Sequence, residues 1–107
     1  MAHFVLEIKG KSIMVFTAGD RREAEDFVES RPMTAELSCM LHKGRPVWSG
    51  NKHDLYVREA DPKEVSAWDG SFARARRDND AHNWDRESWL TYLIPVVDSN
   101  TDPDKEP

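Results

Sequence analysis

Alternating apolar and polar residues at the start of the chain predict a β-hairpin. Phe4, Leu6 and Ile8 alternate with other side chains, and the alternation resumes after Gly10-Lys11. Such alternation on both sides of a glycine-containing turn is typical of two antiparallel strands. The register that we infer places one apolar set on a single face of the hairpin: Phe4, Leu6, Ile8, Ile13 and Val15.

The next apolar residues recur at helical spacing. Either Thr17 or Asp20 provides a helix cap, because each carries an oxygen that accepts from the first free backbone amides. Ala24, Phe27 and Val28 form an apolar stripe. Pro32 follows, and the residue before a proline disfavours helical geometry, so we predict that this helix ends near Ser30.

A second helix is predicted from a strong start at Asp61. Asp61 is a favourable cap, Pro62 suits the first helical position, and Glu64 completes a capping box. Apolar residues then follow at helical spacing, with Gly70 as a position where the helix could break. The apolar positions are Val65, Trp68, Phe72 and Ala75.

Four further segments are predicted as strands. The third strand covers residues 37–42 and precedes a turn at Lys43-Gly44, and the fourth covers residues 46–48. Leu55–Glu59 forms the fifth strand. In residues 89–97, apolar side chains occur at both odd and even positions, so both faces of a strand would be apolar. This pattern favours a strand covered on both faces over a short helix.

These elements together predict an α+β fold in the order ββαβββαβ. We expect a two-layer sandwich, in which two helices cover one face of a mainly antiparallel sheet of five to six strands. Residues 1–98 form this single domain, since 107 residues fit one core. Residues 99–107 form a disordered acidic tail, because few apolar side chains offset the entropy of ordering it.

The charge distribution gives the domain no general electrostatic reason to bind nucleic acid or an anionic membrane. The net charge is −5, and the segment from Asp98 to Pro107 contributes −3 of it through four acids and one lysine. A lone cysteine, Cys39, excludes an intramolecular disulfide. With no secretory signal at the N-terminus, a cytoplasmic location is expected.

One stretch of sequence resembles a pattern found in small uncharacterised bacterial proteins. It begins at Gly44-Arg-Pro-Val-Trp48-Ser-Gly50, continues through Leu55-Tyr-Val-Arg-Glu-Ala60, and includes Glu64 to Trp68. The resemblance covers roughly residues 36–97. It implies a bacterial cytoplasmic protein and no particular activity.

Catalytic, cofactor-binding and metal-binding residues are not predicted. Cys39 and His42 are separated by an odd number of positions, so on a strand they would point to opposite faces. A calcium loop starting at Asp78 would need glycine and glutamate where Asn83 and Trp89 occur. Nucleophile elbows, zinc-protease motifs and phosphate loops are also absent from the sequence.

A nucleic-acid-associated protein is an alternative, because the order αβββα within residues 20–78 resembles a double-stranded-RNA-binding domain. Such domains grip phosphates with a lysine-rich start to the last helix, and here that start contains Asp61 and Glu64. A basic set occurs instead at the other end of that helix: Arg74, Arg76 and Arg77.

If the helices cover the sheet face that carries Leu6, Ile8 and Val15, the other face also carries apolar residues. Such an uncovered apolar face suggests binding of a protein partner or formation of a homodimer. The alternative is that residues 78–87 cover this face with Trp84. We therefore predict a small non-enzymatic interaction or regulatory protein without a cofactor. The proposed interaction face contains Val5, Met14, Phe16, Met40 and Tyr56.

Two weaker predictions concern other surfaces. An enzyme or ligand-binding protein would use a tryptophan-lined pocket, and a modest basic patch would lie near two neighbouring turns. The tryptophans are Trp48, Trp68 and Trp84, and the patch residues are Lys43, Arg45, Lys52 and His53.

Overall fold

A computed structural model describes residues 2–79 and 89–98 of the chain. These residues form an α+β domain with three α-helices, a main antiparallel sheet and a second small sheet. A single turn of 3-10 helix, Lys52–Asp54, precedes the fifth strand. The other elements are β1 (Ala2–Ile8), β2 (Lys11–Ala18), α1 (Arg21–Glu29), α2 (Arg31–Cys39), β3 (Met40–His42), β4 (Arg45–Pro46), β5 (Leu55–Glu59), α3 (Pro62–Arg77), β6 (Leu90–Tyr92) and β7 (Val97–Asp98).

Both Lys-Gly pairs form two-residue hairpin turns. Lys9 and Gly10 have φ angles of 52° and 80°, and Lys43 and Gly44 have 53° and 80°. Positive φ at both central residues gives a turn whose twist matches that of the flanking strands. The two hairpins are therefore confirmed, although the first turn lies one residue earlier than the sequence analysis placed it.

A β-bulge in the first hairpin overturns the predicted faces. The pairing shifts between Leu6 and Glu7, so that Leu6 lies opposite Met14 while Glu7 lies opposite Ser12. A one-residue shift exchanges the faces of all subsequent side chains. Val15 therefore lies opposite Val5. The prediction that Val15 shares a face with Phe4 is wrong.

The main sheet is covered by helices on both faces, so the predicted two-layer sandwich is wrong. Its strand order is β5-β1-β2-β6. On one face, α1 and α2 cover a core that includes Leu6, Met14 and Leu37. On the other face, α3 packs Trp68 against Val5. The fold has three layers because both faces of the hairpin carry apolar residues, and each face is covered by helices.

The helix α2 was not predicted. Pro32 lies in its first turn, where a proline needs no amide partner and its fixed φ suits a helix. Between α1 and α2 a single residue, Ser30, has extended geometry, with φ −64° and ψ 151°. Pro32 therefore separates two helices, and the strand predicted at residues 37–42 is reduced to the three residues of β3.

The prediction of one strand over residues 89–97 is also wrong. Strand β6 pairs with β2 in the main sheet, whereas β7 pairs with β3 in the small sheet, whose order is β4-β3-β7. Pro95 lies between β6 and β7, and a proline cannot donate to a ladder. This segment thus connects the two sheets.

The start of α3 is confirmed. The backbone amide of Glu64 donates to Asp61 Oδ1 at 2.8 Å, and the amide of Asp61 donates to Glu64 Oε1 at 2.8 Å. The helix continues through Gly70 without a break. The predicted acidic tail, residues 99–107, lies outside the described residues.

Candidate functional site

The residues predicted as an open interaction face do not form one. Val5, Met14 and Phe16 are buried. Val5 packs beneath α3, whereas Met14 and Phe16 pack on the opposite face of the sheet. Met40 belongs to the small sheet, and only Tyr56, 53% exposed, is strongly accessible. The structure contradicts the shared exposed face, because the register is shifted and both faces carry helices.

The predicted tryptophan pocket is also contradicted. Trp48 and Trp68 are buried in separate clusters on opposite faces of the main sheet. Each indole N–H donates within the fold, Trp48 Nε1 to Asn51 O at 2.8 Å and Trp68 Nε1 to Trp89 O at 2.9 Å. These side chains therefore serve the core. Trp84 lies outside the described residues.

The arginine set at the end of α3 lies on an exposed helix turn. Arg74, Arg76 and Arg77 are exposed in the last turn of α3, where positive charge complements the helix dipole. Their positions in the sequence spread them around the helix axis. Their binding to nucleic acid stays a prediction.

Potential metal ligands are dispersed. Cys39 ends α2 and His42 lies on β3. Among residues 2–79 and 89–98, no group of three or more His, Cys, Asp or Glu side chains is arranged to hold a metal ion. The loop weighed as a calcium site lies mostly outside these residues. Within the same ranges, no helix is both long and apolar enough to cross a membrane.

Arg58 forms the densest polar cluster in the described part of the chain. Its guanidinium donates to both carboxylate oxygens of Glu64, at 2.8 and 2.7 Å, and to Glu7 Oε2 at 2.6 Å. Further bonds reach Ser12 Oγ and Glu59 O. These contacts lower the pKa of Glu64 and raise that of Arg58. All five guanidinium hydrogens are used, so this cluster joins β1, β5 and α3 and offers no donor to a ligand.

The most suitable binding site is an open groove where the main sheet meets the small sheet. Its volume is about 540 Å³. Strands β1 and β2 contribute the main-sheet side, and the β3–β4 hairpin contributes the other. We call this surface the basic groove; its lining residues are Ile8, Lys11, Ile13, His42, Lys43, Arg45, Pro46, Val47 and Ile94.

The two Lys-Gly turns explain why cations collect at the basic groove. Lys11 follows the first turn, Lys43 lies in the second, and Arg45 follows it. Tight turns leave such long side chains at the ends of the strands, where their charged heads reach water while their stems cover apolar surface. The apolar part of the lining comes mainly from Val47, Ile94 and the strand residues beneath them.

The cations of the basic groove lack counter-ions within the described residues. Lys9, on the adjoining surface, lies 3.9 Å from Asp54. Lys11, Lys43 and Arg45 form no salt bridge with residues 2–79 or 89–98, and the groove lining includes no carboxylate. A positive surface of this kind attracts anionic groups.

His42 adds an oriented polar group to the same lining. Its Nδ1 lies 2.6 Å from Pro95 O. A carbonyl oxygen only accepts, so Nδ1 carries the hydrogen, and Nε2 is left as the second polar atom of the ring. The groove thus combines positive charge, one imidazole and an apolar floor, while its lining offers no hydroxyl or thiol nucleophile.

Part of the basic groove was predicted from the sequence. Lys43 and Arg45 were expected in a basic patch and do line the groove. Lys52 lies instead near Glu25 and Glu29, beside β5. Lys11 was missed, because its position across from the second turn depends on the pairing of elements distant in sequence. The repeated Lys-Gly turn was the available clue.

No protein-family model matches the chain, and no curated protein or solved structure is significantly similar to it. The arrangement of the groove therefore provides the basis for a functional proposal.

Proposed function

We propose that this chain is a small non-enzymatic interaction protein whose basic groove binds an acidic segment of a protein partner. The observation that carries the proposal is the convergence of Lys11, Lys43 and Arg45 around an apolar floor that contains no carboxylate. A cytoplasmic location belongs to the same proposal.

The partner class follows from charge and shape. An acidic peptide supplies carboxylates for the three cations, and an apolar residue between them fits against Val47 and Ile94. Arginine also binds carboxylates in a bidentate fashion, which favours Arg45 as the orienting contact.

Nucleic acid fits the groove less well. Binding without base pairing uses a continuous basic track and aromatic platforms on which bases stack. The basic groove is lined by three fixed cations, one histidine and aliphatic residues, and it has no phenylalanine, tyrosine or tryptophan. The whole chain carries a net charge of −5.

Fluorescence anisotropy with a labelled peptide tests this proposal. The probe is an acidic peptide with a central leucine-phenylalanine pair, and the control peptide replaces its acids by the corresponding amides. We expect saturable binding of the acidic probe that weakens as salt increases, and little binding of the amide control. Equal binding of both peptides, or tighter binding of a single-stranded oligonucleotide, would overturn the proposal.

A further inference from the structure

A second surface lies along the β5 edge of the main sheet and shares no lining residue with the basic groove. Within residues 2–79 and 89–98, strand β5 pairs only with β1 and so forms an edge of the main sheet. The hydrogen bonds Ala60 N–H to His3 O, 3.0 Å, and Lys9 N–H to Asp54 O, 3.1 Å, fix the pattern of that pairing. By the antiparallel alternation, Leu55, Val57 and Glu59 direct their backbone groups away from β1.

Arg21 occupies the centre of this free edge. Its Nη2 donates to Val57 O at 2.7 Å, and its guanidinium lies 5.5 Å from the centre of the Tyr56 ring. The Arg21 side chain is 54% exposed and its Nε lies 3.5 Å from Glu25 Oε2. A solvated arginine of this kind exchanges its partners at little cost, in contrast to the enclosed Arg58.

A groove runs between α1 and this edge. Its volume is about 280 Å³, and Val28, Leu55 and Val57 provide its apolar part. Glu25 and Glu29 line the α1 side, and Lys52 and Tyr56 complete the lining. An extended strand beside β5 would place alternate side chains into this groove, between the two glutamates and the sheet edge.

We propose that the edge of β5 binds an extended segment of another protein by strand addition, with Arg21 acting as a displaceable cover of Val57 O. The segment carries an apolar residue for the groove and basic residues on the same face. One basic side chain replaces Arg21 as the partner of Glu25, so the charge balance of the site is retained.

The same charges argue against a second copy of this chain as the occupant. Pairing two β5 strands about a two-fold axis through Val57 would bring both α1 helices to the same side of the extended sheet. Glu25 and Glu29 of both copies would then lie on that side of the sheet, and because they outnumber the one lysine of each groove lining, Lys52, like charge opposes association.

The test titrates isotopically labelled full-length protein with the capped peptide Lys-Thr-Val-Thr-Lys, which places valine and both lysines on one face. A control peptide has N-methylvaline at the centre, which removes the N–H that would donate to Val57 O. We expect the first peptide to shift the amide resonances of Leu55, Val57 and Glu59, and to slow hydrogen exchange at Val57. The control peptide should leave them unchanged.

Two variants assign the role of Arg21. Arg21→Ala removes the competitor for Val57 O, so peptide affinity should rise about threefold to tenfold. Arg22→Ala, at the adjacent exposed position, should leave affinity unchanged. Absence of binding at millimolar peptide to both wild type and Arg21→Ala would overturn the proposal, as would equal binding of the N-methyl peptide. Self-association of Arg21→Ala would assign the edge to a second copy and overturn it as well.

Discussion

Two regions of this molecule use positive charge in opposite ways. Arg58 is enclosed by Glu7 and Glu64, and the three side chains are 28%, 21% and 13% exposed. Lys11, Lys43 and Arg45 converge on the basic groove with no salt bridge among the described residues. A cation whose hydrogen bonds are complete holds elements together, whereas a cation without a partner is available to a ligand. Substitutions around Arg58 should therefore change stability, whereas substitutions in the basic groove should change binding.

The largest loss of stability is expected from Arg58→Met. Removing the guanidinium leaves two partly buried carboxylates close together without their counter-ion, which should lower the free energy of unfolding by about 2 kcal/mol. Arg45→Met is the matched control, and it should stay within about 0.5 kcal/mol of wild type because Arg45 is exposed. Urea denaturation measures both. Equal losses for the two variants would remove the distinction between the regions.

Acid should weaken the Arg58 cluster specifically. The pKa of Glu64 is lowered chiefly by its hydrogen bonds from Arg58. A lowered carboxyl pKa adds stability above the unfolded value, about 4.3, and this stability is lost as pH falls through the folded value.

Glu64→Gln removes the charge but keeps an oxygen for the Asp61 amide. Wild type should therefore lose more of its unfolding free energy than Glu64→Gln between neutral pH and the lowered pKa of Glu64. Unfolding at several pH values gives the comparison. Parallel pH profiles for the two proteins would show that the ion pair adds nothing to stability.

A smaller effect is expected at the cap of α3, which shares Glu64 with the Arg58 cluster. Asp61→Ala removes the acceptor of the Glu64 amide and should cost about 1 kcal/mol. Asp26→Ala, on the exposed side of α1, is the control and should change stability by no more than about 0.5 kcal/mol. An unchanged denaturation midpoint for Asp61→Ala would contradict the role of the cap.

The features that the sequence predicted correctly are those set by neighbouring residues. The capping box at Asp61 and the two hairpin turns need only a few adjacent side chains, and each formed, the first turn one residue earlier than predicted. Pro32 was misleading because the same residue suits both the end of one helix and the first turn of the next.

The failures at the interaction face have a non-local cause. The bulge beside Leu6 is a property of two paired strands, and it exchanges the face of Met14 and Phe16 relative to Val5. Covering of the second face by α3 also depends on long-range packing. The basic groove lies between the two hairpins. Lys43 and Arg45 were recognised because they are close in sequence, whereas Lys11 comes from the other hairpin and was not.

The most direct test of the central claim compares two charge reversals that change the net charge equally. Lys43→Glu with Arg45→Glu alters the basic groove, and Arg76→Glu with Arg77→Glu alters the exposed end of α3. Anisotropy of the labelled acidic peptide is measured for each double variant and for wild type, with circular dichroism to confirm folding. The account predicts that the groove variant loses binding by at least about tenfold while the α3 variant stays close to wild type, beyond a small long-range effect that salt screens. Equal losses in both variants would show that net charge alone governs binding, and would contradict a specific site in the groove.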